Sequence, residues 1–202
     1  MTNNALSTST ARFAGWITRR EGRKFLQLRS DVPVPAVPPG KEGRDDWASL
    51  YIHIPFCRTL CPFCCFNRYL FDETKARRYF ANLKKEVGFY IDRGFRFSDF
   101  YFGGGTPTVL MDELLDFIAF LKKNFKVRQI SMETTQREIN PEVIAALKKA
   151  GVNRLSIGVQ SFDNELLQAM GRLVGSGEEA IEKLKIEVLK TIHMGSDNLT
   201  FT

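Results

Sequence analysis

The chain has 202 residues, 44% of them hydrophobic and 17 of them Phe, so it can bury a core of about one domain with an appendage. It contains no run of about 18 apolar residues, and its polar start, MTNNALSTSTARF, lacks the apolar segment of a secretory signal, so we expect no membrane span and no leader. The net charge of +6 is modest, and all four cysteines lie within residues 57–65, which favours a metal site in a reducing, cytoplasmic compartment over a disulfide framework.

Residues 1–48 are predicted to form an N-terminal extension, and residues 49–202 a separate core. The basic stretch ITRREGRK at 17–24 suits an anionic ligand or nucleic acid, but it lacks the aromatic and motif context of a nucleic-acid site. We interpret it as a solvated surface and expect no nucleic-acid partner. The stretch DVPVPAVPPG at 31–40 is proline-rich and predicts an extended linker.

From residue 50 onward the pattern alternates between strand and helix. The predicted strands are 50–54, 99–102, 129–134 and 154–160, and the predicted helices are 73–93, 112–124, 141–150, 164–170 and 176–195. Asn140, Pro141 and Gly151 mark the two ends of the third helix especially well. This alternation predicts an α/β fold with a parallel sheet and right-handed crossovers.

The stretch YIHIPFCRTLCPFCCF at 51–66 carries the clearest chemistry. Cys57, Cys61 and Cys64 form a C-x3-C-x2-C pattern on a loop that directly follows a predicted strand. Three thiolates suit an iron–sulfur cluster, and a cubane held by three cysteines keeps one iron open to a small molecule. The alternatives are a zinc site with His53 or Cys65 as the fourth ligand, or buried free cysteines.

Polar features follow the other predicted strands as well. A run of three glycines follows the second strand, Glu133 lies at the end of the third and Gln160 at the end of the fourth. The carboxyl ends of parallel strands in a barrel or part-barrel lie on one rim, where such folds carry their active sites. The cysteines and these three features are therefore expected to face one site.

Four stretches occur in one order over residues 50–173: YIHIPFCRTLCPFC, YFGGGTPT, METTQREINP and AGVNRLSIGVQSF. Together they resemble the coproporphyrinogen dehydrogenase (oxygen-independent coproporphyrinogen III oxidase) family of the radical SAM superfamily, a group that also includes haem chaperones and anaerobic haem-degrading enzymes. The resemblance implies a partial (β/α)6 barrel with about four βα units. It also implies a [4Fe–4S] cluster on Cys57, Cys61 and Cys64, and bound S-adenosylmethionine. A tetrapyrrole substrate and an electron donor such as flavodoxin or ferredoxin are implied too.

The resemblance also implies a role for each remaining site residue, although alone each aromatic residue also fits ordinary packing and each charged residue is better explained as a solvated surface group. Aromatic rings suit the sulfonium and the adenine, a glycine turn admits the amino group, and charged or amide side chains suit the ribose and the amino acid part. The residues assigned to these roles are, in order, Tyr51, Phe63, the turn Gly103, Gly104, Gly105 and Thr106, then Glu133 and Gln160, and for the methionyl carboxylate Arg172.

The chain departs from the family pattern in two ways. The family carries a further cysteine two positions past the last ligand, where this chain has Phe66, with Cys65 one position earlier. This departure leaves a radical enzyme, a haem-binding chaperone and an inactive fragment all open. The tail after Ile186 does not resemble a fifth strand, so we expect a truncated or frame-shifted product, an open sheet edge after the fourth strand and no turnover.

Overall fold

A computed structural model describes residues 48–161, residues 163–172 and the backbone of residues 198–201. The predicted N-terminal extension, the proline-rich linker and the predicted helix 176–195 lie outside these residues. No helix in the described ranges is both long enough and apolar enough to cross a bilayer.

Strands and helices alternate along the described chain. In order they are β1 Ala48–Ile54, β2 Phe56–Cys57, β3 Tyr69–Leu70, α1 Glu73–Asp92, β4 Phe97–Gly104, α2 Met111–Asn124, β5 Gln129–Thr135, α3 Pro141–Ala150, β6 Arg154–Gly158, α4 Asn164–Ala169 and β7 Asn198–Phe201. Five of the strands form one parallel sheet in the order β1-β4-β5-β6-β7, and β2 pairs with β3 separately. The predicted α/β fold with a parallel sheet is confirmed.

The helix ends follow their local signals. The Asp72 side chain accepts a hydrogen bond from the Lys75 backbone N–H at the start of α1. At α3, Asn140 accepts from the Val143 N–H at 2.8 Å, and Gly151 ends the helix with φ +99°. These contacts satisfy backbone groups that a helix end otherwise leaves unpaired. The predicted ends of α3 are confirmed.

The two faces of the sheet differ in polarity, because successive side chains along a strand alternate in direction. One face is apolar and packs beneath the helices, with Ile52, Phe102, Met132 and Ile157 among its buried residues. The neighbouring positions on the other face are polar or aromatic. Register pairs Tyr51 with Tyr101 across β1 and β4, and Glu133 with Ser156 across β5 and β6. The core therefore lies between the sheet and the helices, which leaves the polar face free to form a site.

Two expectations about the fourth predicted strand are wrong. The edge beyond it is not open, because β7 pairs with β6 in parallel from Arg154↔Asn198 to Ile157↔Phe201. The four-residue segment Asn198–Phe201 is too short for its sequence to identify a strand, and its partner's free backbone groups determine its conformation. The strand also ends at Gly158, because Gln160 adopts φ +77°, which extended backbone does not permit.

Candidate functional site

The three motif cysteines lie on or beside a loop whose ends are held together. Pairing of β2 with β3 brings Phe56 beside Tyr69 and Cys57 beside Leu70, and the Phe71 N–H donates to the Cys57 carbonyl at 2.9 Å. We call the intervening residues 58–68 the cysteine loop. Its position is fixed at the carboxyl end of the main sheet.

The glycine turn after β4 holds the start of the cysteine loop. The Gly105 N–H donates to the Ile54 carbonyl at 2.7 Å, and the Thr106 N–H donates to the Phe56 carbonyl at 2.8 Å. A Cβ atom on Gly105 would lie only 2.7 Å from the Phe56 carbonyl oxygen. Gly104 has φ +110°, and a Cβ there would lie 2.7 Å from the His53 ring. Gly105 is required by the close approach of the Phe56 backbone, and Gly104 by its positive φ beside the His53 ring.

A cavity of about 410 Å³ lies between the cysteine loop and the carboxyl ends of β4, β5 and β6. The structure brings nearly all predicted site residues to its wall. Those that line it are Cys57, Cys61, Phe63, Cys64, Gly104, Gly105, Thr106, Glu133, Gln160 and Arg172. Gly103 and Tyr51 lie outside the lining. The Tyr51 ring stacks on that of Tyr101 with the centroids 5.9 Å apart, and its hydroxyl contacts His53 Nδ1 at 3.0 Å.

The four cysteines are free thiols that differ in exposure: Cys61 is buried, Cys57 and Cys64 are partly buried, and Cys65 is exposed. Burial raises the pKa of the Cys57 thiol, an effect that a 3.6 Å hydrogen bond from the Thr106 hydroxyl partly opposes. In this conformation Cys57 therefore favours its protonated form.

The geometry does not suit the zinc alternative. Both His53 ring nitrogens are engaged, Nδ1 with the Tyr51 hydroxyl and Nε2 with the Asn67 carbonyl at 2.8 Å. Within the described ranges, no three His, Cys, Asp or Glu side chains converge to hold a single metal ion. A zinc ion needs its thiolate ligands at about 2.3 Å. Three thiols spread around a cavity suit a larger, sulfur-ligated group such as an iron–sulfur cluster.

Glu133 faces the cavity from β5 and has a specific partner. The Tyr101 hydroxyl donates to Glu133 Oε1 at 2.6 Å. Burial, and then the adjacent carboxylate, raise the pKa of Tyr101 to about 12. Tyr101 therefore stays a neutral hydrogen-bond donor at ordinary pH and fixes the orientation of this carboxylate.

Gln160 and Arg172 complete the wall on the side of β6. Gln160 is a non-glycine residue with φ +77°, and backbone held in that region costs of order 1–3 kcal/mol and is concentrated at functional sites. The Arg172 side chain lies against the cysteines, with Nε donating to Cys61 Sγ at 3.0 Å and the guanidinium 6.0 Å from the centre of the Phe63 ring. Its backbone carbonyl accepts a hydrogen bond from Gln136.

The sequence pattern that defines the radical SAM superfamily matches residues 51–198. The chain belongs to the radical SAM superfamily. It is 37% identical over 132 residues to the haem chaperone HemW of Bacillus subtilis, and 40% identical over 134 residues to the oxygen-independent coproporphyrinogen III oxidase of Helicobacter pylori. Each alignment covers 62% of this chain, but only 35% and 29% of those proteins.

The fold is also similar to that of a solved member of the superfamily. The structure of coproporphyrinogen III oxidase (HemN) from Escherichia coli superposes with a TM-score of 0.66 and 31% sequence identity. The superposition covers 76% of this chain and 36% of that one. The chain thus spans about a third of the length of these relatives, and the similarity supports the predicted partial barrel.

Sequence reasoning missed several residues at the site, among them Tyr101 and Arg68, which contact the predicted site residues. Tyr101 precedes the glycine turn by two residues, but its hydrogen bond to Glu133 depends on the register between β4 and β5. Arg68 donates to the carbonyl oxygens of Cys61 and Cys64. No spacing rule predicts that contact, because it depends on how the cysteine loop folds back. For Tyr101 the sequence offers one signal: it lies two residues before Gly103 at the end of a strand, so the two residues lie on the same face of the sheet.

Proposed function

We propose that Cys57, Cys61 and Cys64 ligate a [4Fe–4S] cluster whose open iron binds S-adenosylmethionine, and that the protein acts on a tetrapyrrole. The observation that carries this proposal is the cavity itself. Three free thiols, a glycine turn, a carboxylate, an amide and a guanidinium meet around about 410 Å³ from four separate strand ends. This set of groups suits both the iron–sulfur cluster and S-adenosylmethionine.

The residues that line the cavity each suit one part of the cluster or of S-adenosylmethionine. When bound together, the cluster and S-adenosylmethionine supply one-electron reductive cleavage of a carbon–sulfur bond. Glu133, whose Oε1 accepts a hydrogen bond from Tyr101, would accept further hydrogen bonds from an ammonium or from ribose hydroxyls. Gly104 and Gly105 line the cavity, where their backbone carbonyls would suit the amino group of the methionyl part. Arg172 suits a carboxylate through paired N–H donors, and binding one would replace the contact of Arg172 Nε with Cys61 Sγ.

The test of the metal site is anaerobic reconstitution followed by iron analysis and EPR, with and without S-adenosylmethionine. We expect one cluster per chain and a changed EPR signal when S-adenosylmethionine is added. Serine at any one of Cys57, Cys61 and Cys64 removes one of three ligands and should abolish cluster binding. Cys65→Ser is the matched control and should retain it. Stoichiometric zinc without iron uptake, in protein purified without oxygen, would contradict the proposal.

The cofactor pocket is tested in the same reconstituted protein by calorimetry. Glu133→Gln removes one charge while keeping the shape of the side chain, and Arg172→Gln removes one charge and shortens the side chain. A lost hydrogen bond to a charged group is worth about 1.5–3 kcal/mol, or roughly tenfold to more than a hundredfold in affinity. Unchanged S-adenosylmethionine affinity in both variants, with the iron content intact, removes these residues from the proposed pocket.

A haem-binding chaperone is the second candidate function, favoured by the similarity to HemW and by Phe66. That ring stands where the oxidase family has its further cysteine, and it is 62% exposed beside the cavity. An exposed aromatic ring can stack on a flat porphyrin, whereas it cannot coordinate a metal as a cysteine at this position could. A haem titration set against an assay for 5′-deoxyadenosine separates the two functions: stoichiometric haem binding with no 5′-deoxyadenosine under dithionite favours the chaperone.

A further inference from the structure

Arg68 is the last residue of the cysteine loop, and its side chain points back into the loop. Its Nη2 donates to the carbonyl oxygen of Cys61 and, at 3.2 Å, to that of Cys64. The Cys61 carbonyl also accepts the Cys64 N–H at 3.3 Å. One guanidinium nitrogen therefore joins the backbone of two of the three motif cysteines.

The backbone on both sides of Arg68 is fixed by contacts outside the loop. The Asn67 carbonyl contacts His53 Nε2 at 2.8 Å, and the Tyr69 N–H donates to the Pro55 carbonyl at 2.6 Å. These contacts attach the residues flanking Arg68 to β1 and to the segment that follows it. The backbone at Arg68 is thus held by the sheet, and the hydrogen bonds to the Cys61 and Cys64 carbonyls set the direction of its side chain.

The guanidinium is not fully used by these contacts. Arg68 Nε is buried and has no hydrogen-bond partner among the described residues. A buried donor without an acceptor is costly, so a group bound in the adjacent cavity that accepts from Nε would stabilise this arrangement. Arg68 itself lines the cavity together with Cys57, Cys61 and Cys64. Sulfur ligands that carry negative charge would meet both needs of this side chain, a counter-charge and an acceptor.

We propose that Arg68 is a positioning residue for the iron–sulfur cluster: it orders the cysteine loop and raises the reduction potential of the cluster through its fixed positive charge. This inference rests on the proposed function of the same site. Adding one electron to the cluster adds one negative charge, and a nearby cation stabilises that reduced form more than the oxidised form. Hydrogen bonds and charges around the sulfurs are known means by which proteins set such potentials.

The experiment is an EPR-monitored redox titration of the reconstituted 202-residue protein and three variants. Arg68→Lys keeps the charge, and Arg68→Gln keeps a donor but removes the charge. Arg93→Gln is the matched control, since Arg93 also donates to a backbone carbonyl, that of Phe89 at 3.2 Å, but at the far end of α1. We expect Arg68→Gln to make reduction at least about tenfold less favourable, about 59 mV for one electron, with Arg68→Lys and Arg93→Gln close to wild type.

Thermal melting and the rate of iron loss to a chelator complete the test. Faster iron loss in Arg68→Gln, with melting equal to wild type, supports the loop-ordering part even where the signal is too weak to titrate. A wild-type potential and a wild-type rate of iron loss in Arg68→Gln overturn the inference, as does an equal shift in Arg93→Gln. If the melting temperature is the only property that Arg68→Gln lowers, Arg68 is a folding residue, and that result overturns the inference too. If wild-type protein itself takes up no cluster, the proposed function fails instead.

Discussion

Gly105→Ala is the substitution whose effect the structure defines most directly. Gly105 lies where the turn after β4 crosses the end of β1, and an added Cβ would meet the Phe56 carbonyl oxygen at 2.7 Å, the Phe56 nitrogen at 2.9 Å and the Pro55 carbonyl carbon at 2.9 Å. All three atoms belong to the backbone, so no flexible side chain can move aside. The φ angle of Gly105 lies outside the left-handed region, so the destabilisation that we expect comes from steric overlap alone.

The size of the penalty follows from how firmly the two segments are joined. Hydrogen bonds of 2.7 and 2.8 Å hold Gly105 and Thr106 to Ile54 and Phe56, so separating the segments weakens both. Overpacking costs typically about 1–3 kcal/mol, and we expect the upper part of that range here. For a chain of this size each kcal/mol lowers the melting temperature by about 2–4 °C, which gives a decrease of roughly 4–12 °C.

The assay is thermal melting, with Gly88→Ala as the matched control. Gly88 lies within α1, and a Cβ there would meet nothing within 4 Å. Alanine in a helix is favoured over glycine by about 0.5–1 kcal/mol, so this variant should melt roughly 1–4 °C higher than wild type. Since Cys57 follows Phe56, Gly105→Ala should also retain the iron–sulfur cluster less well. A Gly105→Ala protein that melts at or above the wild-type temperature would refute the steric reasoning.

Two further predictions concern the titratable groups of the site. Tyr101→Phe removes the donor to Glu133 and should destabilise the fold by about 1.5 kcal/mol at pH 7, the low end for a charged acceptor because the pair is only partly buried. Since the pKa of Tyr101 is raised to about 12, the wild-type advantage is present below pH 10 and lost as the pH rises through about 12, and denaturation at pH 7 and pH 11–12 checks this. Ligation requires the Cys57 thiolate, and burial raises the pKa of this thiol above its ordinary 9.0, so iron affinity should increase steadily from pH 7 to pH 9. Thr106→Val removes the hydrogen bond that lowers this pKa and should move the profile to higher pH; an affinity independent of pH in wild type would count against a buried, protonated Cys57.

The sequence by itself determined the alternation of the longer strands and helices and the ends of α3, but not the short strands β2, β3 and β7. Local signals were sufficient there: Asp72 and Asn140 cap their helices through their own side chains, and Gly151 ends α3 because its backbone enters the left-handed region. The C-x3-C-x2-C spacing and the order of the four motifs also identified the superfamily, because these patterns lie along the chain itself.

Only the tertiary structure decided which of these residues meet. The contacts of Tyr101 with Glu133 and of Arg172 with Cys61 join residues 32 and 111 positions apart, and strand register and loop closure fix them. The same holds for β7, a four-residue strand that pairs with β6, and for Arg68, whose backbone is held by contacts of its neighbours with β1 and the segment after it. Local propensity describes each segment alone, whereas a site is made of contacts between segments, and those depend on how the sheet is assembled.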